Sequence, residues 1–180
     1  MNDQNDSKLI YTILAIASAM AVILLAISFA EPVSNSAGIA HPDILGMQAG
    51  GDGAPRLEHI GSFAFAFLCL LLLLFICLSL LGVSIHNRTP KLFSYMGGAF
   101  AFMMLVGWKM YFGHQEFLKT GTTDYFMGFP SATAWQVYGI WLCGIPLIVI
   151  YSLGFRKFIF TREDERSYNE LLENKAGNGE

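Results

Sequence analysis

Four long apolar runs separated by polar segments organise the chain: residues 9–30, 60–85, 92–112 and 134–155. Three of them carry no charged side chain, and the third carries only Lys109, near its end. At about 1.5 Å per residue, each run is long enough to cross a hydrocarbon layer of roughly 30 Å as a helix. Nothing in such a layer hydrogen-bonds an open backbone, so helix is the expected conformation. The pattern predicts an all-α, four-helix integral membrane protein over residues 9–160, with a polar tail at 1–8 and a separate segment at 161–180.

The segments between the runs set the connections. Residues 31–58 are rich in glycine (38, 46, 50, 51, 53) and proline (32, 42, 55). That composition predicts a long, mobile or partner-ordered loop, with Pro32 discouraging the first helix from continuing. Within it, HPDILGM is apolar enough to rest on a membrane surface. The turn HNRTPK is short, so helices 2 and 3 form an antiparallel pair. Thr133 with Gln136 fits a capping box for helix 4, and Pro146 predicts a kink within it. In TREDERSYNELLENK, Thr161 with Asp164 resembles an N-cap, followed by a narrow apolar stripe of Tyr168, Leu171 and Leu172. A short C-terminal helix of this kind lies on the membrane or docks on a partner.

Composition reinforces the membrane reading. Of 180 residues, 54% are hydrophobic and only 14% charged, against roughly a quarter charged in soluble domains. The net charge of −3 says little, because the placement of Lys and Arg is what orients a membrane protein. Lys8, Arg88, Lys91, Arg156, Lys157, Arg162 and Arg166 fall on one side; Arg56, Lys109 and Lys119 fall on the other. Both termini are thus expected in the cytoplasm, with the long loop outside and the bacterial inner membrane as the location. ISFA before Glu31 resembles a signal-peptidase site, but the run before it is longer than a signal core, which favours a retained helix. Cys69, Cys77 and Cys143 all sit inside expected spans without metal spacing, and read as packing residues.

Candidate chemistry is sparse. A buried haem needs histidines at matching depth inside helices. His41, His59 and His114 fall instead at the outer rim, and His86 at the inner turn. His41, His59, His114 and Glu116 are the residues a divalent metal at that rim would use, although no ligand spacing points to one. Lys109 sits near a helix end, where it can snorkel to the headgroups, with Glu116 or Asp124 as the alternative counter-ion. Trp108, Tyr111, Phe112, Tyr125, Phe126, Phe129 and Trp135 form an aromatic belt at the outer boundary. No phosphate-binding loop, nucleophile with a base, paired catalytic carboxylates or basic nucleic-acid stripe is present. The reading is non-enzymatic, without cofactor.

The chain from 92 to 160 also carries a short motif. A helix is followed by Phe126-x-Gly128-Phe129-Pro130, then by a second helix ending Val149-x-Tyr151 before basic residues. This resembles the small accessory subunit family of bacterial sodium:solute symporters. The resemblance implies association with a larger membrane permease rather than transport by this chain. The expected partner face comprises Gly97, Gly98, Ala101 and Gly107 on helix 3, Phe126, Gly128, Phe129 and Pro130 in the turn, and Pro146 on helix 4. Gly97 with Ala101 is a small-xxx-small pair, which lets another helix approach closely. The alternatives are a subunit of a respiratory or redox complex, with an outer metal or quinone site, and a purely scaffolding membrane protein.

Overall fold

The computed structural model describes residues 3–31, 33, 39–49 and 53–177. It is mostly helical, at 81%. Among the described residues the helices are α1 (Asp3–Ser28), α2 (Gly53–Leu81), α3 (Pro90–Thr120), α4 (Ser131–Ile159) and α5 (Arg162–Gly177). Among the described residues three stretches are long and apolar enough to cross a membrane: Ser7–Ser28, Glu58–Leu81 and Ser131–Ile159. α1 packs on α2, α2 on α3, and α3 on α4.

α3 packs against both α2 and α4 and is the least apolar of the four long helices. Its glycines, Tyr95, Trp108 and Lys109 dilute the Leu, Met, Phe and Val around them. It is also longer than the 92–112 expected from hydropathy. Thr89 caps it, its side chain accepting from Leu92 N at 3.3 Å, with Pro90 in the first turn. At the far end Gly121 takes φ 67° and its N–H bonds Phe117 O at 2.8 Å. Hydropathy fails at Phe112, but helix stop chemistry comes only at Gly121.

The other boundaries shift for similar reasons. α1 begins at Asp3 rather than Leu9, so residues expected in a polar tail are helical. α2 runs from Gly53 to Leu81, not 60 to 85. The loop before it is correspondingly shorter, and within it β1 (Ile39–Ala40) pairs antiparallel with β2 (Gln48–Ala49). Pro32, Gly38, Gly50 and Gly51, which carried much of the mobile-loop expectation, lie outside the described residues. α4 starts at Ser131 with Pro130 as its N-cap and no side-chain cap bond. The Thr133–Gln136 capping box therefore does not form; a hairpin immediately before Ser131 leads the chain straight into the helix. α4 continues through Pro146, and its departures from α geometry are two wide π-turns on either side, Trp135–Gly139 and Phe155–Ile159.

The best-packed region lies at the end of the bundle that holds the α2–α3 turn. There Val83, Leu92, Met96 and Phe158 are nearly inaccessible and join Ile76, Leu80, Ala99 and Met103 in one cluster. A smaller cluster of Ile16, Met20 and Cys77 holds α1 to α2. The last turn of α2 has every terminal carbonyl from Leu78 to Leu81 engaged. Leu78 O accepts from Gly82 N and Leu80 O from Val83 N. Ser79 O accepts from the Tyr151 hydroxyl of α4. Arg88 donates to Leu81 O at 3.4 Å and to Val83 O at 3.0 Å. A buried helix end needs such partners, since orphan carbonyls are costly without a donor.

Candidate functional site

α3 presents one open face along its length. Its inward side carries Leu92, Met96, Ala99, Met103, Val106 and Gly107, all buried. Ser94, Gly97, Ala101, Leu105, Trp108 and Phe112 recur at three- and four-residue steps and are all exposed. Such spacing places them on one side of the helix. The half of this face nearest the α2–α3 turn is made of small residues. A Cβ placed on Gly97 or Gly98 would meet nothing within 4 Å. The other half is large and aromatic, with the Trp108 and Phe112 rings tilted by 30° against each other at 3.9 Å between centroids.

Gly107, expected on the same face, turns inward instead. Its Cβ would lie 3.3 Å from Leu68 Cδ2, so it serves the α2–α3 contact. The close approach of α3 to α4 depends on a glycine the sequence did not single out. A Cβ on Gly139 would fall 2.8 Å from Val106 Cγ1 and 3.1 Å from Trp135 Cε3. Pro146, also expected at the partner face, is half-buried within α4.

The Phe-x-Gly-Phe-Pro segment is a two-residue β-hairpin. β3 (Tyr125–Phe126) pairs antiparallel with β4 (Phe129–Pro130), with Phe126 opposite Phe129. Met127 and Gly128 at its tip take φ 49° and 84°. Two positive values in succession mark a type I′ turn, which matches the strand twist and favours glycine at the second position. Ser131 N bonds Asp124 O at 2.7 Å and closes the base. Phe126 and Phe129 both make T-shaped contacts with Tyr138, at 6.0 and 6.1 Å. Tyr125, Phe126 and Met127 remain well exposed. Gly113 of α3 is level with Ala132, so the hairpin sits roughly 20 Å along α3 from Gly97–Ala101 at 1.5 Å per residue. The small-residue face and the hairpin are therefore two patches, not one.

The rim histidines are not gathered. Among the described residues no three His, Cys, Asp or Glu groups converge on a point that could hold a metal ion. His41 Nδ1 accepts from Asp43 N at 3.2 Å within the β1–β2 loop. His59 lies inside α2, and His114 lies inside α3 against Phe117 at 6.2 Å. Glu116 is on α3 as well. Lys109 is exposed, and no ion pair joins it to Glu116 or Asp124. At the hairpin end a cleft of about 490 Å³ opens between α2, α3 and α4. Phe65 stacks on Tyr111 there at 4.6 Å, with His114, Thr133 and Gln136 also on its walls.

At the opposite end, α5 is fastened to the bundle through its first turn. Asp164 Oδ2 accepts from Thr161 N at 2.8 Å and Thr161 Oγ1 at 2.7 Å, the N-cap expected from sequence. It also accepts from Asn87 Nδ2 at 3.3 Å, in the α2–α3 turn. These Thr161 bonds, with smaller help from Asn87 and the nearby His86, hold its carboxyl below the usual carboxylate range. Arg156 at the end of α4 pairs with Glu165 at 2.6 Å.

Comparison of the chain with family models, with curated proteins and with solved structures gives no match in any of the three.

Proposed function

We propose that the chain crosses the membrane four times and serves as a non-enzymatic accessory subunit of a larger inner-membrane permease, of the sodium:solute symporter type. The observation that carries this reading is the open face of α3. A helix of modest hydropathy packed between α2 and α4 leaves Gly97, Gly98 and Ala101 uncovered. A second helix packed there would approach closely and gain contacts that lipid chains supply less well. With α3 counted as the fourth span, the α2–α3 turn and both termini share one side, and the Lys and Arg excess there (Arg88, Lys91, Arg156, Lys157, Arg162 and Arg166) supports a cytoplasmic side. The Phe126–Pro130 hairpin, whose sequence resembles a segment of the symporter subunits, would then be a second contact on the outer surface. Co-purification in mild detergent or native nanodiscs tests the reading. The wild-type chain should bring down a large multi-span permease, and Gly97→Leu should lose it. Leucine has open space at that position, so the fold should survive. Recovery of the chain alone contradicts the proposal.

A second reading, a subunit of a redox complex, draws on the cleft of about 490 Å³ beside Phe65 and Tyr111. Its size and its few polar groups among apolar walls suit a ring such as a quinone. Solvent extraction of the purified protein would find a stoichiometric quinone if this reading holds.

A further inference from the structure

The direction in which α5 leaves the bundle points to what it touches. The backbone breaks at Phe160, which takes φ −130° and ψ 90°, so α5 does not continue the axis of α4. Two adjacent residues of its first turn then reach back to two different elements: Asp164 to Asn87 in the α2–α3 turn, and Glu165 to Arg156 at the end of α4. Together they fix the roll of the helix as well as its position. Tyr168, Leu171, Leu172 and Lys175 follow Asp164 by four, seven, eight and eleven residues, and so lie on the face that Asp164 turns toward the bundle. Glu163, Glu170 and Glu173 fall away from that stripe, and Glu170 and Glu173 line an open polar cleft with Arg156 and Glu165.

The apolar stripe faces the bundle's side yet is uncovered by it. Tyr168 is 56%, Leu171 68% and Leu172 48% exposed. Side chains that point the way Asp164 points, but lie past the edge of the bundle, meet whatever surrounds the bundle at that level. In a chain that crosses a membrane, that is the lipid surface. The neighbouring end of α4 fits the same boundary: Arg156 lies over the Phe160 ring at 5.9 Å and Lys157 over Phe158 at 5.3 Å. Cationic heads above aromatic rings are at home between headgroups and hydrocarbon. Lys175 can snorkel to the same headgroups, while the three glutamates off the stripe stay in water.

We infer that α5 is an interfacial helix whose Tyr168–Leu171–Leu172 stripe rests on the membrane surface next to the α2–α3 turn, with its roll set by Asp164 on Asn87 and Glu165 on Arg156. The inference needs only that the chain spans a membrane, and is independent of any permease partner.

Site-directed spin labels placed singly along 166–175, in the full chain reconstituted alone into nanodiscs of phosphatidylethanolamine and phosphatidylglycerol, test it. The expected result is a 3.6-residue period in accessibility, with positions 168, 171 and 172 favouring oxygen and positions 170 and 173 favouring a water-soluble nickel reagent. Asp164→Ala should blur that period while leaving labels in α1 unchanged. Uniform nickel access along α5 would overturn the inference, as would a stripe protected only when a second protein is added. Because no partner is present in the main measurement, failure of the permease proposal leaves its outcome unaffected.

Discussion

Gly139→Ala is a sharp probe of how α3 and α4 meet. The new methyl would lie 2.8 Å from Val106 Cγ1 and 3.1 Å from Trp135 Cε3, where ordinary carbon contacts need about 3.5–4.0 Å. Val106 is 2% exposed, and its β-branched side chain has little rotamer freedom in a helix. α4 must therefore move away by most of an ångström, or both side chains must leave their wells. Overpacking of this kind costs about 1–3 kcal/mol. Alanine's helix preference over glycine returns at most about 1 kcal/mol. Gly144→Ala is the control, because nothing lies within 4 Å of its Cβ position; it gains the preference without the clash. The two variants should differ by about 1–3 kcal/mol, roughly 5- to 160-fold in unfolding equilibrium. SDS titration of detergent-solubilised protein, followed by tryptophan fluorescence, reads this. Adding Val106→Ala to Gly139→Ala should restore part of the loss, giving a favourable coupling above about 0.5 kcal/mol. If Gly139→Ala matches Gly144→Ala, and the double mutant shows no coupling, the close approach is not a feature of the folded protein.

Tyr151→Phe removes the hydroxyl that satisfies Ser79 O, leaving a carbonyl at the end of α2 without a donor. The same titration should show a loss of about 1–3 kcal/mol, against near zero for Tyr125→Phe at the exposed hairpin. The fastening of α5 should also be insensitive to pH across the neutral range. Asp164 has a folded-state pKa below its unfolded value near 4, so its stabilising bonds to Thr161 and Asn87 are fully present above about pH 4. They weaken only as pH falls through the lower folded value. Spin-label mobility at position 171 should stay flat from pH 8 to 5 and rise only in stronger acid; a transition near neutrality contradicts the assignment to Asp164.

Much of this architecture is legible in the residues, and the omissions have physical causes. Long apolar runs locate α1, α2 and α4, but hydropathy reports where lipid would end rather than where a helix ends. Thr89-Pro90 and Gly121 are plain helix signals that fix α3 at 90–120, and the apolar count underweights them. Thr161 with Asp164 is a local cap, three residues apart, and could be read directly. Met127-Gly128 between two phenylalanines is a hairpin sequence as much as it is part of a family-like motif. The divergent roles of glycines resist such reading. Gly97 faces outward, Gly107 meets Leu68 and Gly139 meets Val106; composition cannot separate them, because each role depends on a residue far along the chain. The Tyr151–Ser79 bond, spanning two helices, is hidden for the same reason. The open face of α3 could have been found, since 94, 97, 101, 105, 108 and 112 keep a helical period.

The partner claim is tested most directly by a photo-crosslinking amino acid at Ala101, compared in living cells with one at Val22, an exposed position on α1. The Ala101 probe should capture one large multi-span protein, identified by mass spectrometry as a sodium-coupled permease, and the Val22 probe should not. Adducts from Ala101 that contain only lipid, or a second copy of this chain, would contradict it.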